Sequence, residues 1–554
     1  MKTFTSFLPA LLVVVSCTLH AQAWKWAQSL GLPDNSTAIK NIRPYTGTSV
    51  LVSGSFAAPT LTLGSQTLNN AGQDDGYVSI VNENGQISWA TSFGGSGRDF
   101  VVGAAMASFG SFVVAGNFSS LSMSIGNNTL ANSGETDVFV AKYNEDKTLA
   151  WVQKIGTSNI EEVVGVAFDG TNSVYVAGQV IDKFTLTTIK VFLRKYDPDG
   201  AMLWERTGEI QGGGILHATA LTVDKYLNVY LAGSLSGTAT FSGTELTSDL
   251  DYSAFIIRYT FTGVVLSSVV QDELEKINDI KAYENHIYAC ADKVNYNIGW
   301  GWPLSDSKIH VLKLGLDLQP VWEKSAGGEQ TAQSLDIAKG ISVDNEGNAY
   351  VTGYFFSDTL EFAGQALPNY HDVNYYYPQV FVLKYDADGQ EIWGKSFGGV
   401  HSDEGTGIHA FGDDQFYLGG NYESEPIDFG AYQLHNTGTL DSMYVHLRPS
   451  RFLRKPMGFL GVFDKNASNI DPEPAFQEVT LFPNPVKDRL TIQLSAPASS
   501  PVRVQITTLD GRLVRQSEKT GLEIREELGG LAPGLYYVTL QTERGTFTGK
   551  FVKL

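Results

Sequence analysis

The chain is 554 residues long, with 57 glycines, 18% charged residues and a formal net charge of −20. A hydrophobic fraction of 43% excludes a generally disordered chain, and the length exceeds what one ordinary core accommodates. The acidic balance excludes nucleic acid as a partner, because phosphate binding needs clustered Lys and Arg.

Residues 1–23 read as a secretory signal. Lys2 supplies the positive start, Phe7 to Val15 the short apolar core, and Ala21-Gln22-Ala23 the small residues ahead of a cut before Trp24. An alternative reading of the same stretch is a lipoprotein signal at Val14-Val15-Ser16-Cys17. The apolar core is too short to span a bilayer, and no transmembrane segment is expected elsewhere. With the signal removed, Cys290 is the only cysteine, so no internal disulfide is expected. Its apolar surroundings, His286 to Ala291, mark a buried inert thiol.

From Trp24 onward, Gly, Tyr, Phe and Trp are abundant, a composition that favours many short strands. A short apolar strand ending in a small residue recurs seven times, at Gly54, Gly116, Gly178, Gly233, Ala291, Gly353 and Gly420. Each unit carries an alternating strand before this anchor and, after a variable loop, a strand such as Val380 to Tyr385. A turn such as Asp386 to Gly389 then leads into a strand opening with Trp. Gly follows that Trp by five residues in Trp89/Gly94, Trp151/Gly156, Trp322/Gly327 and Trp393/Gly398; one unit has Val264-Val265-Leu266 instead. Four strands per unit, separated by Gly-containing turns, predict an all-β fold, a seven-bladed β-propeller over residues 24–447. The seventh unit stops after three strands near Leu447. Trp24 to Gly31 supplies a lone fourth strand, with Trp26 and Gly31 in register, so the ring is expected to close by its N-terminal strand.

Residues 448–477, with Pro449, Pro456, Pro472 and Pro474, read as a linker. Residues 478–554 alternate as strands around an Asp510-Gly511 hairpin and predict a small C-terminal β-sandwich.

Two stretches resemble known families. Trp393 to His409 and Asp336 to Gly364 look like SBBP-type β-propeller repeats of bacterial exported proteins, a resemblance that extends over about 24–447 and implies a fold but no ligand. The tail resembles the C-terminal sorting domain of type IX secretion substrates of the Bacteroidetes. The matching residues are Pro483-Asn484-Pro485, Asp510-Gly511, Gly534 opening the penultimate strand, and Lys550 and Lys553 in the terminal run. That resemblance implies type IX machinery as a partner, passage across the outer membrane, and a body that is released or attached at the cell surface.

No HExxH, GxSxG, Walker or CxxC motif is present, so no catalytic residue is named. Asp-x-Asp-Gly at Asp197 to Gly200 and Asp386 to Gly389 suits hairpin turns better than calcium loops. His401 and His409 lack metal-ligand spacing beyond a bare pair, so no metal site is expected. Counting back 16 or 17 residues from the anchors reaches Asp99, Glu162, Glu275, Asp336 and Glu404. In a closed ring these would form an acidic circle at the axial mouth. They would hold a cation such as calcium or a basic group, or else accept hydrogen bonds from loop amides in their own blades. Aromatic loops offer the other candidate surface: Tyr370, Tyr375, Tyr376 and Tyr377 in the sixth unit, Trp300 and Trp302 in the fifth. The leading reading is a non-enzymatic, exported binding or adhesion module for a glycan or protein. The alternative is a secreted glycan-active hydrolase or lyase with its site on the axial face.

Overall fold

The computed structural model describes residues 23–31, 36–107, 110–299, 302–328, 335–370, 377–438, 441–443, 451–453, 455–465, 467, 480–493, 501–508, 512–521, 523–542 and 545–554. Among these the regular structure is all strand, and the chain divides into two compact units, Met1–Ser468 and Asn469–Leu554.

In the first unit the strands form antiparallel meanders of four. Thr37–Pro44, Val50–Phe56, Asp75–Val81 and Ile87–Phe93 make the first group; Asp99–Met106, Phe112–Phe118, Asp137–Tyr143 and Leu149–Ile155 make the second. The next two groups share one seven-stranded sheet, from Ile160–Phe168 to Val265–Gln271, because the 22-residue strand Met202–Val223 ends one group and begins the next. Lys276–Tyr283 and Ile337–Val343 open the fifth and sixth groups. In the seventh, the order is Asp403–Gly412, Gln415–Tyr422, Met457–Asp464 and Ala23–Leu30. The N-terminal strand is thus the outermost strand of the last group, with Ala27 opposite Gly461 and Ser29 opposite Phe459.

This pairing corrects two boundaries. The third strand of the seventh group is Met457–Asp464, all but its last residue buried, and not the run ending near Leu447. A small hairpin, Asp441–Met443 with Arg451–Leu453, intervenes. The stretch expected as a linker, 448–477, therefore begins with strand residues of the first unit. Pro449 and Pro456 were misleading because Pro456 sits just outside the strand, where its carbonyl accepts from Thr37 N–H.

The first strands of successive groups lie side by side in chain order, and Asp403–Gly412 of the last also lies against Thr37–Pro44 of the first. Each first strand carries a β-bulge at an equivalent place, between Ile39 and Asn41, Val101 and Gly103, Val163 and Gly165, Ala218 and Ala220, Ile277 and Asp279, Ala338 and Gly340, and Gly405 and Gly407. The bulge explains the anchor glycine. A Cβ at Gly54 would stand 1.8 Å from the Ala38 carbonyl oxygen, and one at Gly353 would stand 2.0 Å from that of Ile337.

Successive groups are latched by the repeat's Trp. The Trp151 indole donates to Pro198 O at 3.0 Å, Trp204 to Phe261 O at 3.2 Å and Trp322 to Ala387 O at 3.1 Å, each in a turn of the next group. The cross-strand lysine beside each Trp donates to the same carbonyl, as Lys142 to Pro198 and Lys313 to Ala387, both at 2.8 Å. The turn glycine holds a positive φ, 81° at Gly389 and 77° at Gly85, and its bare face receives the indole. Trp26 repeats this across the chain ends, donating to Glu83 O at 2.8 Å with its ring on Gly85.

In the second unit a three-stranded sheet (Thr480–Phe482, Arg489–Gln493, Glu523–Glu527) and a four-stranded sheet (Leu513–Lys519, Val502–Thr508, Gly534–Thr542, Gly545–Lys553) bury one core. Ile492, Ile524, Val504 and Val538 contribute to it.

Replacing Trp26 by Ala is expected to cost about 3 kcal/mol, read as an earlier urea midpoint by intrinsic fluorescence. Trp26→Phe, which loses the indole donor and part of the ring but keeps an aromatic face, should cost less, about 1–2 kcal/mol. An unchanged midpoint in both variants would show that the latch carries no stability.

Candidate functional site

The five carboxylates expected at one axial position occupy two. Asp99 and Asp336, with Glu275 in the same register, lie two residues before the strand position opposite each anchor. Asp99 is fully buried: it accepts from Gly95 N at 2.7 Å, Ser119 N at 3.0 Å, Ser120 N at 3.2 Å and Ser120 Oγ at 2.5 Å. Asp336 repeats the set with Gly328 N, Phe356 N, Ser357 N and Ser357 Oγ, its carboxyl pushed up by burial. Asp403, not Glu404, is their true counterpart, with Gly399, Glu423 and Ser424 as donors. These acids tie down their own loops. Burial likewise raises Glu275, whose Oε2 is enclosed without a hydrogen-bond partner.

Glu162 and Glu404 stand one residue further on, at the register of Phe100, and so alternate to the other side of the strand. Gln179 Nε2 donates to Glu162 at 3.1 Å and Asn421 Nδ2 to Glu404 at 3.0 Å. His217 and Lys276 share this register, so the position is mixed in charge. These five carboxylates do not form one circle. Counting from the anchors failed because each bulge adds a residue and the turn after it varies in length.

A cavity of about 320 Å³ is lined by residues of all seven first strands. Its lining includes the bulged residue of each: Lys40, Val102, Val164, Thr219, Asn278, Lys339 and Thr406. Below this layer Arg43 reaches Asp279 at 3.1 Å, whose second oxygen accepts from Ile341 N at 3.2 Å. None of Asp99, Glu162, Glu275, Asp336 and Glu404 belongs to the lining. The cavity of this acidic protein is basic: Lys40, Arg43 and Lys339 against Asp279 alone. Burial lowers the Lys339 ammonium below its ordinary pKa, and the charges of Lys276 and Lys40 add to the effect while Glu404 and Asp292 oppose it. At the Arg43 register, burial and Arg43 lower Lys281 to about 8, and burial with Lys281 and Arg43 lowers His409 to about 3. The signal that could have pointed here is a lysine fourteen residues ahead of Gly54 and of Gly353, where Gly116 and Gly178 have Val.

The aromatic candidates do not form one described surface. Tyr370 is 49% exposed. Tyr377 is buried against His401, with ring centroids 5.5 Å apart, which corrects the expectation of an exposed ring. Trp302 opens the strand Trp302–Gly315 at the tip of a long hairpin. Trp300, Tyr375 and Tyr376 lie outside the described residues. The Asp197 and Asp386 carboxylates each accept two amides of their own turns, from Asp199 and Ala201 and from Asp388 and Gln390. Among the described residues, no group of three or more His, Cys, Asp or Glu side chains could hold a metal ion, and no helix is long and apolar enough to cross a membrane.

In the tail the motif residues meet. Asn484, between Pro483 and Pro485, donates to Lys550 O at 3.2 Å and accepts from Val552 N at 2.9 Å. Gly534 pairs with Lys553 in register. Asp510 and Gly511 lie outside the described residues.

Comparison with known proteins agrees with this division. Residues 480–554 match the secretion system C-terminal sorting domain, and residues 327–354 match a β-propeller repeat. The chain carries a propeller repeat and a type IX sorting tail. The tail implies export, to the cell surface or the medium. An uncharacterized WD repeat-containing protein of Acanthamoeba polyphaga mimivirus is 21% identical over 375 residues, 53% of this chain and 27% of its own length. The chain therefore spans about a quarter of that relative. Among solved structures, PorZ, a surface component of the type IX secretion system of Porphyromonas gingivalis, is 11% identical with a TM-score of 0.21 (93% of this chain, 81% of that one). The phage phi92 endosialidase is 10% identical with a TM-score of 0.35 (95% and 87%), and Drosophila semaphorin 1a is 9% identical with a TM-score of 0.36 (70% and 85%). Likeness this low carries no argument for fold or ligand.

Lys281 yields a pH prediction. Its folded pKa lies below the unfolded value, so between about pH 8 and 10.5 the unfolded chain binds more protons and this group's contribution to stability rises with pH. Lys281→Met is therefore expected to raise the melting temperature at pH 7, with the gain shrinking by pH 10. Equal gains at both pH values would contradict the lowered pKa.

Proposed function

We propose that the seven four-strand groups are the blades of one closed propeller, sealed by Ala23–Leu30, and that the protein is an exported, non-enzymatic binding module. Its ligand, a glycan, enters the axial cavity. The observation that carries this reading is the single cavity lined by the first strand of every group. A concave site at the convergence of repeated elements is where a repeat scaffold collects side chains that no single repeat can supply. The lateral contact of Asp403–Gly412 with Thr37–Pro44, and the Trp26 latch to Glu83, support the closure. The described aromatic loops supply only Tyr370 as an exposed ring, so they extend the surface without defining it.

Delivery rests on the tail. We place the mature protein at the outer membrane's outer face, with the type IX machinery reading the sandwich formed by Asn484, Gly534, Lys550 and Lys553. Deleting residues 480–554 is expected to leave the protein in the periplasmic fraction on cell fractionation. Its appearance at the surface or in the medium would remove the tail from the export route.

Binding is tested with the full chain on an array of immobilised neutral and acidic glycans. Val102→Trp, which fills the cavity, should abolish retention of any glycan bound by the wild type, while Tyr370→Ala should retain it. No retention of any glycan by the wild type, or retention untouched by Val102→Trp, would overturn the axial glycan reading.

A further inference from the structure

The charges around the axial cavity run against those of the molecule. The whole chain carries −20, yet the described cavity presents Lys40, Arg43 and Lys339 with one carboxylate, and that carboxylate is already held by Arg43 and by the Ile341 amide. Among the described residues no carboxylate comes within ion-pair distance of the Lys40 or Lys339 ammonium. Lys339 lies instead over the Tyr354 ring, 5.4 Å from its centroid. A third ammonium, Lys276, stands at the neighbouring register and is only 3.8 Å from the buried Asp292. Of the other acids near this level, Glu404 is taken up by Asn421.

Burial of the Lys339 ammonium, joined by the nearby charges of Lys276 and Lys40, lowers its proton affinity, and Glu404 and Asp292 offset only part of that effect. Nothing in the fold requires these cations. In the same bulge position the second and third groups place Val102 and Val164, which fill the site without charge. Lys40 and Lys339 sit at bulges on strands that flank Asp403–Gly412, whose own bulged Thr406 lies between them and donates to Ile39 O at 3.0 Å. The arrangement is therefore local, confined to three adjacent first strands.

The geometry points to an oxyanion site: the axial cavity binds a compact carboxylate, phosphate or sulfate group through Lys40 and Lys339, with Lys276 at the entrance. The volume of about 320 Å³ lies at the small end for ligand pockets and suits one acidic unit, such as a single uronic acid residue or the anionic end of a chain. This inference rests on the axial cavity being the ligand site, and it adds the ligand's charge.

The test is calorimetric titration of the full chain with galacturonate, galactose, inorganic phosphate and sulfate. At least one oxyanion should bind at one site per chain, galactose should not, and affinity should fall between about 50 and about 500 mM salt. Lys40→Gln and Lys339→Gln should each weaken binding at least about tenfold, while Lys225→Gln, on the exposed surface, should leave it unchanged. Lys40 is exposed, so its variant keeps the inference testable if Lys339→Gln fails to fold. Binding of galacturonate assigns the site to an acidic sugar; binding of phosphate or sulfate alone assigns it to an inorganic or esterified oxyanion. No heat with any of the three, or affinity unchanged in both lysine variants, overturns the proposal. Glycan retention that Val102→Trp abolishes, without oxyanion binding, would sink the charge inference and leave the axial reading standing. Oxyanion binding that both lysine variants weaken, without glycan retention, would sink the glycan reading and leave the oxyanion site standing.

Discussion

The architecture depends on one repeated contact: an indole N–H, and the lysine ammonium beside it, reaching a single carbonyl in the turn of the neighbouring four-strand group. A meander of four strands buries one face poorly by itself and needs a neighbour on each side. The latch fixes that neighbour's distance and angle, because a hydrogen bond of about 3 Å tolerates little displacement. The surrounding residues serve the same contact. The lysine lies over a buried Tyr of the second strand, as Lys195 over Tyr175 and Lys384 over Tyr350. The receiving turn needs glycine where the indole rests. Where the sixth group meets the seventh, Trp393 finds the Asp414 carboxylate in place of a carbonyl, and Lys384 follows it there. The partner changes and the latch persists.

The same constraint orders the centre. Groups latched in this way lie with their first strands side by side, and a regular strand there would push alternate side chains into its neighbours. The bulge relieves this by turning one residue per group out of the ladder. That residue is free of pairing duty, so its chemistry varies between groups, from Val to Thr, Asn and Lys. A scaffold position that must exist but need not be any particular residue is where a binding site can change without disturbing the fold.

Much of the fold was legible because its periodicity is written in residue types with steric roles. The anchor glycines, the Trp-to-Gly spacing and the Asp-x-x-Gly turns each report a close approach or a positive φ. The buried thiol of Cys290, deep in an apolar strand, was legible for similar reasons, its pKa raised by burial. The site was less legible. Asp99 and Glu162 differ by one step along a strand, and one step moves a side chain to the opposite face. Counting from an anchor cannot resolve that step when a bulge and a variable turn lie between. Tyr377 is a similar case, since its neighbours in the sequence say nothing of His401 folding back over it.

The sequence by itself determined the all-β repeat, the number of anchors, the Trp26 strand as the missing fourth, and the tail's identity. Each of these is local or periodic, so composition and spacing carry it. Only the tertiary structure decided that Met457–Asp464 belongs to the last group, that Asp99 and Asp336 are taken up by their own loops, and that one cavity lined by all seven first strands presents Lys40 and Lys339. Those outcomes depend on which strand faces which neighbour, and on side chains some 300 residues apart meeting at one point, distances over which a chain's local pattern holds no information.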